Sequence, residues 1–196
     1  MGVLRVTDWT QLPESLPVPQ DDGRAGHLSG LELPIVFLPA TDGRRIDLSS
    51  LSGKAVVYCY PRTGDPEVPD PPGWGEIPGA LGCVSQACGF RDLHQELNRN
   101  GVSHIFGLST QDSAYQRAAA ERLQLPFPLL SDHAGEFTRA LDLPTFTVAG
   151  TVLLKRLTLI IEDGAISHAL YPVFPPHHSA EQVLDFLKSH HINQPD

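Results

Sequence analysis

The interpretation of this chain starts from the segment GCVSQACGFRD, residues 82–92, which contains two of the three cysteines. A loop rich in proline and glycine, Pro61–Gly82, leads into this segment. Beyond Cys83, apolar residues recur at helical spacing as far as Leu97, and Asn100-Gly101 is a typical helix stop. The pattern predicts a helix that begins at Cys83 and carries both cysteines in its first turns.

The predicted position of Cys83 favours the thiolate form of its side chain. The leading N–H groups of a helix have no partner within the helix, and its N-terminus is the positive end of the helix dipole. The thiolate is the nucleophilic form of cysteine. Cys83 is therefore the candidate nucleophile. We expect Cys59, in the apolar run Ala55–Tyr60, to be a small buried hydrophobic residue.

Two stretches of the sequence together resemble the active-site signature of the peroxiredoxins. They are most similar to the Q-type branch, also called the bacterioferritin-comigratory-protein branch. The resemblance is specific because it covers a long ordered string, and weaker similarity extends from about Leu33 to Leu187. The residues that carry it are Tyr60-Pro61-Arg62 and Gly82-Cys83-x-x-Gln86-Ala87-Cys88-Gly89-Phe90-Arg91-Asp92.

The chain departs from the family pattern in the loop before Cys83. The link between Pro61 and Gly82 is much longer than in the family. The family's threonine, three residues before the reactive cysteine, falls on Ala80, and its proline falls on Leu81. In the family, that threonine hydroxyl is a hydrogen-bond partner for the thiolate and the peroxide. Thr63 would replace it if the extra loop folds out after that residue.

The resemblance implies a thiol-dependent peroxidase without a cofactor. Cys83 would attack hydrogen peroxide or an organic hydroperoxide, and Arg156 would stabilise the developing negative charge. Gln86 would orient that arginine. The other residues that the resemblance assigns to the substrate pocket are Tyr60, Pro61, Thr63 and Gly82. Sequence position alone favours an ordinary surface residue for Arg156, and an exposed helix residue is an equal alternative for Gln86.

Cys88 is the residue that the resemblance assigns as the resolving cysteine, with thioredoxin or another dithiol as the reductant. Residues five apart in an intact helix are separated by about 7.5 Å along its axis. A disulfide requires Cα atoms within roughly 7 Å. A bond between Cys83 and Cys88 would therefore require the first turns to unwind, and Gly82 and Gly89 would ease that motion. In the alternative, Cys88 is a buried spectator.

Strand and helix patterns alternate in the first part of the chain, and a hairpin and a helix follow. This order predicts an α/β fold, and the resemblance implies a thioredoxin fold with a central mixed sheet flanked by helices. Thr41-Asp42-Gly43, between the first two predicted strands, indicates an N-terminal hairpin. We expect residues 1–32, with Pro13, Pro17 and Pro19, to form an extended arm, and residues 33–196 to form the domain. The predicted strands are 33–38, 45–48, 55–60, 104–109, 128–132, 152–154, 156–161 and 166–171, and the predicted helices after the first are 112–123, 136–141 and 180–190.

Composition narrows the partners and the cellular location. The formal net charge is −9 and no cluster of Lys and Arg is present, which argues against nucleic acid and anionic membranes as partners. Residues 1–8 lack the apolar core of a secretory signal. An odd count of three cysteines suits a reducing compartment, so we expect a cytoplasmic protein. The sequence leaves a monomer and a homodimer equally open.

Three other features have more than one interpretation. Cys83, Cys88 and His94 have a spacing too loose to favour zinc. Trp74, in the loop before the cysteine helix, looks exposed and would be a lid, a dimer contact or an anchor for the loop. The missing threonine and the long loop also leave open a redox-sensing thiol switch, or a redox-dependent binding protein, with little peroxidase turnover.

Overall fold

The structure, a computed structural model, describes Leu12 and residues 15–191; Pro13 of the predicted arm lies outside the described residues. Within this part the chain forms nine strands and five α-helices. The strands are β1 (Phe37–Pro39), β2 (Arg45–Asp47), β3 (Lys54–Cys59), β4 (Val102–Ser109), β5 (Leu129–Ser131), β6 (Thr145–Val148), β7 (Thr151–Leu154), β8 (Leu157–Glu162) and β9 (Ala165–Leu170). The helices are α1 (Cys83–Asp92), α2 (His94–Arg99), α3 (Ser113–Leu123), α4 (Glu136–Ala140) and α5 (Ser179–His191).

The central sheet has five strands in the order β5-β4-β3-β8-β9. β3, β4 and β5 are parallel to one another, while β8 runs antiparallel to β3 and β9 antiparallel to β8. The sheet is therefore mixed, as predicted. The chain leaves the carboxyl end of β3 at Cys59 and reaches Cys83 through the long loop, which places α1 beside the middle of the sheet.

Both faces of the sheet are covered, which explains the nearly continuous apolar run of β3. Ala55, Val57 and Cys59 belong to the hydrophobic cluster on one face, which also contains Phe106 and Phe137. Val56 and Tyr58 belong to the cluster on the other face, together with side chains of α1 and α5. Cys59 is fully buried, so the prediction that it is a small core residue is confirmed.

The first helix is shorter than its sequence pattern predicts. α1 ends at Asp92, and Leu93 has φ −95° and ψ 6° before α2 begins at His94. The N–H of Leu93 is shared between the carbonyls of Gly89 and Arg91. The apolar spacing continues across this break because Leu97 still faces the core, so periodicity alone did not reveal it.

Two hairpins flank the central sheet. β1 and β2 pair antiparallel around the turn at Thr41-Asp42-Gly43, which confirms the predicted N-terminal hairpin. β6 and β7 form a second hairpin that the sequence did not indicate for residues 145–148. Residues of β6 are half-buried or exposed, so the apolar alternation that marks a strand is weak there.

The loop before α1 is anchored by Trp74. The expectation that Trp74 is exposed is wrong, because the residue is 4% exposed and packs against Ala80 and Leu153. Its ring also stacks on Phe146 of the second hairpin, with 6.2 Å between ring centres. The tryptophan therefore attaches the loop to the domain. None of the described helices is long and apolar enough to cross a membrane.

Candidate active site

Cys83 is the first residue of α1, as predicted, and its side chain is 4% exposed. Gly82, the residue before it, has φ +99°, a conformation that L side chains rarely adopt. A Cβ at Gly82 would lie 2.9 Å from the Cβ of Pro176 and closer still to its Cγ. Glycine is therefore required at this position both for the turn into α1 and for the close approach of Pro176.

Arg156 lies immediately before β8 and contacts the sulfur of Cys83. Its Nη2 group donates to Cys83 Sγ at 3.2 Å and to the carbonyls of Gly79 and Leu81, each at 3.1 Å. Arg156 is 3% exposed, so the alternative of an ordinary surface arginine is wrong. Among the described residues, its Nε group is buried without a hydrogen-bond partner. The loop carbonyls therefore hold a fixed cation against the thiol.

Gln86, one turn along α1, holds the other side of the guanidinium. Its Oε1 accepts a hydrogen bond from Nη1 of Arg156, and its Nε2 donates to Ser179 Oγ at 3.0 Å. Gln86 is fully buried, so the alternative of an exposed helix residue is wrong. Ser179 was not among the predicted site residues. It lies 93 positions from Gln86, and its only signal in the sequence was its place before a predicted helix.

Ala80, the residue that the resemblance aligns with the family's threonine, lies beside Cys83. Ala80 is 1% exposed, and its carbonyl accepts from the Cys83 thiol at 3.7 Å. The methyl group of Ala80 cannot form a hydrogen bond. In the described part of the chain, a guanidinium and a backbone carbonyl therefore form hydrogen bonds with the sulfur.

Thr63, the predicted substitute for the family's threonine, forms its hydrogen bonds with other residues. Its hydroxyl donates to Gln111 Oε1 at 3.2 Å, and its carbonyl accepts from the Tyr115 hydroxyl at 2.9 Å. The residue is 1% exposed. The structure therefore does not bring the Thr63 hydroxyl to Cys83.

Tyr60 and Pro61 are buried at the end of β3, on the side of the sheet that carries α1. Tyr60 belongs to the same hydrophobic cluster as Cys83, and its hydroxyl accepts from Gln116 Nε2 at 3.4 Å. Burial raises the pKa of the Tyr60 hydroxyl. The phenol is therefore neutral at ordinary pH and contributes packing and polarity beside the thiol, without charge.

Cys88 lies in the second turn of α1 as a buried free thiol, 9% exposed. Burial raises its pKa, an effect that the nearby Arg91 partly opposes. With α1 intact, the two sulfurs are on different faces of the helix. Groups of three or more His, Cys, Asp or Glu side chains placed to hold a metal ion do not occur in the described part of the chain.

A cavity of about 300 Å³ lies between the long loop and the second hairpin. Its wall combines polar groups from the ends of β3 and β4 with apolar groups from the hairpin. Cys83, Cys88 and Arg156 are not part of this wall. The lining residues are Arg62, Pro71, Thr110, Gln111, Asp112, Tyr115, His133, Val148, Ala149, Thr151 and Leu153.

Comparison with known proteins identifies the family. A family model described as Redoxin matches residues 24–184. The chloroplastic peroxiredoxin Q of Gentiana triflora is 28% identical over 183 residues, which are 90% of this chain and 76% of that protein. The putative peroxiredoxin bcp of Coxiella burnetii is 30% identical over 159 residues, which are 79% and 95% of the two chains.

The comparison with solved structures agrees with this assignment. Peroxidoxin BcpB from Mycobacterium tuberculosis superposes with a TM-score of 0.65 at 26% identity, and the match covers 83% of this chain and 98% of that chain. The predicted thioredoxin fold is therefore confirmed. Since the redoxin model matches most of the chain, and the named relatives are peroxiredoxins, the chain belongs to the redoxin family and, within it, to the Q-type peroxiredoxins, which are thiol-dependent peroxidases.

Proposed function

We propose that Cys83 is the peroxide-reducing residue of this thiol-dependent peroxidase and that Arg156 is its electrostatic partner. The observation that carries the proposal is the 3.2 Å contact between Arg156 Nη2 and Cys83 Sγ at the N-terminus of α1. A guanidinium is always charged, and preorganised charge usually supplies the largest part of catalysis. The free Nε–H of Arg156 supports a second role, as a donor to the bound peroxide.

In the first step, the Cys83 thiolate attacks one oxygen of a hydroperoxide, ROOH. The S–O bond forms as the O–O bond breaks, and the leaving oxygen takes a proton to give ROH. Cys83 is thereby oxidised to the sulfenic acid, and the peroxide is reduced. R is hydrogen or an organic group, and the contacts of Cys83 do not distinguish between them.

In the second step, Cys88 attacks the sulfenic sulfur of Cys83, which releases water and forms an intramolecular disulfide. Because the helix holds the thiols about 7.5 Å apart along its axis, the first turns of α1 unwind before this bond forms. A dithiol of the thioredoxin type, the reductant that the family implies, then returns both cysteines to thiols. Rapid resolution protects Cys83 from irreversible oxidation to the sulfinic acid.

The role of the family's threonine passes, in this proposal, to groups other than Thr63. Arg156 donates to the sulfur, and Cys83 is the first residue of α1, where the leading N–H groups have no partner within the helix. The replacement of that threonine by Thr63 stays a prediction, and the Thr63 hydroxyl donates to Gln111 and not to Cys83. The cytoplasmic location also stays a prediction, and the oligomeric state stays open between a monomer and a homodimer.

The test is the intact mass of the reduced protein after one equivalent of hydrogen peroxide. We expect the wild type to lose two hydrogens rapidly. Cys83→Ser should show no rapid change, and Cys88→Ser should accumulate oxygen adducts because its sulfenic acid has no partner. Cys59→Ala is the matched control, since Cys59 is a fully buried thiol in β3, and it should behave like the wild type.

A second candidate function is a redox-sensing thiol switch with little peroxidase turnover. Two features favour it: Cys83 is only 4% exposed, and the resemblance aligns Ala80, which has no hydroxyl, with the family's threonine. Slow oxidation of the wild type, with a disulfide that forms only under excess peroxide, would support the switch and contradict rapid turnover. Rapid disulfide formation that continues through cycles with thioredoxin would exclude it.

A further inference from the structure

A hydrogen-bonded chain of three buried polar side chains runs from Arg156 through the start of α5 to β8. Arg156 donates to Gln86 Oε1, Gln86 Nε2 donates to Ser179 Oγ at 3.0 Å, and Ser179 Oγ lies 3.5 Å from Thr158 Oγ1. Gln86 and Thr158 are fully buried and Ser179 is 1% exposed. Water therefore does not compete for these hydrogen bonds, and each one fixes the orientation of the next group.

The order of donors and acceptors along this chain follows from Arg156. A guanidinium only donates, so the oxygen of the Gln86 amide must face it. The NH₂ group then necessarily faces Ser179, whose hydroxyl accepts from it and can donate in turn to Thr158. Ser179 therefore supplies the acceptor that the Gln86 NH₂ group needs when the amide oxygen faces Arg156.

We propose that Ser179 is a positioning residue for the peroxidase reaction, one that holds the Gln86 amide so that Arg156 stays directed at Cys83. This inference rests on the proposed roles of Cys83 and Arg156. Without the hydroxyl, the buried NH₂ of Gln86 has no acceptor. Rotating the amide does not help, because its NH₂ would then face the guanidinium. Gln86 must move to find an acceptor, and Arg156 loses the partner of its Nη1 group.

The primary test compares Ser179→Ala with the wild type in the reaction with hydrogen peroxide. We expect the second-order rate to fall about tenfold, which corresponds to about 1.4 kcal/mol of lost transition-state stabilisation. We also expect the alkylation rate of Cys83 to reach its half-maximum at a higher pH, because a displaced guanidinium stabilises the thiolate less. Burial raises the pKa of Tyr58 and Tyr60, the other titratable groups beside the thiol, so they stay neutral in this range.

Two variants separate positioning from a loss of stability. Ser179→Thr keeps the hydroxyl and should retain most of the rate. Ser131→Ala removes a buried serine hydroxyl that donates to the Gln111 carbonyl at 2.7 Å, and it should leave the alkylation profile unchanged. If Ser179→Ala does not fold, Ser179→Cys keeps the volume with a weak acceptor and should shift the alkylation profile in the same direction.

A double-mutant cycle gives the decisive comparison. In a Gln86→Leu background there is no amide to orient, so adding Ser179→Ala should cause no further loss of rate. Additive losses, or an unchanged alkylation profile in Ser179→Ala, would overturn the positioning role. A wild-type protein in which Cys83 does not react with peroxide would instead contradict the proposed function, and the alkylation profiles would still test the inference.

Discussion

Cys83 and Cys88 lie in one helix but have different electrostatic surroundings. Cys83 contacts the guanidinium of Arg156, which remains charged at every pH of interest. Cys88 is buried without such a contact, and burial raises its pKa. In the folded enzyme, the proposed attacking cysteine is thus beside a fixed cation, whereas the proposed resolving cysteine is a neutral thiol at ordinary pH.

This difference predicts a pH dependence for the second step of the reaction. Attack on the sulfenic acid requires the Cys88 thiolate, and a raised pKa means that less thiolate is present at a given pH. We expect the conversion of sulfenic acid to disulfide to accelerate with rising pH, by up to about tenfold per pH unit below that pKa. Quenched mass spectrometry after a single turnover measures the two species directly.

The control for this experiment is Cys88→Ser, in which the sulfenic acid should persist at every pH. Conversion that is equally fast from about pH 6 to about pH 8 would contradict the prediction. It would show that the unwinding of α1, and not the ionisation of Cys88, limits the formation of the disulfide.

At the residue scale, the sequence predicted some of the site and necessarily missed the rest. Cys83, Gln86 and Arg156 were named, and the structure places them in contact. Ser179 was missed because a serine before a helix reads as an ordinary cap, and its contact with Gln86 depends on how α5 packs on α1. Thr63 was named from its place in the chain, but the path of the loop directs its hydroxyl to Gln111.

At the scale of elements, the start of α1 is held by the turn that precedes α5. Pro176 packs against Gly82, and the carbonyl of His177 would lie 3.0 Å from a Cβ at Gly89. The two glycines that flank the cysteine segment therefore face the same turn. Any unwinding of α1 must separate it from residues 176–178.

Gly82→Ala should destabilise the protein and slow its reaction with peroxide. The positive φ alone costs an alanine about 1–2 kcal/mol, and the contact with Pro176 adds to that cost, so we expect a loss of about 3 kcal/mol or more. The shift that relieves the contact also moves Cys83 relative to Arg156. Denaturant unfolding and the second-order rate with peroxide measure the two effects.

Gly73→Ala is the matched control for that variant. Gly73 also has a positive φ, +76°, but a Cβ there would meet no atom within 4 Å. It should lose only the conformational cost of about 1–2 kcal/mol and keep its rate with peroxide. Equal losses of stability in the two variants would show that the contact between Gly82 and Pro176 is unimportant.

Elements with strong periodicity were predicted well, and those set by tertiary packing were not. β3 is buried on both faces and β8 almost throughout, so each appears as a continuous apolar run in the sequence. β6 exists because it pairs with β7 and supports Trp74 through Phe146, and neither contact leaves a local pattern. The break at Leu93 was hidden because both helices present apolar residues to one core.

At the scale of the whole molecule, residues 25–31 pack against the domain. The N–H of Gly30 donates to the carbonyl of Ile166 at 2.7 Å, and the N–H of Ile166 donates to that of Leu31 at 2.8 Å. This segment therefore covers the start of the outer edge of β9, which would otherwise be open to pairing with another chain. Asp22 adds an ion pair with Lys155 at 2.7 Å, just before Arg156 in the chain.

The predicted division into an arm and a domain at residue 32 can be tested by measuring the free energy of unfolding. Ala25 and Leu28 pack in the same hydrophobic cluster as residues of β3 and β8. Leu28 is fully buried, so Leu28→Ala should lower the free energy of unfolding by about 2–5 kcal/mol. Leu31, three residues later, is 38% exposed, and Leu31→Ala should change the free energy of unfolding by about 0.5 kcal/mol or less. Urea unfolding should show a single transition in both variants. Equal, small effects would support a separate arm, whereas a large loss for Leu28→Ala alone would place this segment inside the folding unit that holds Arg156 and Cys83.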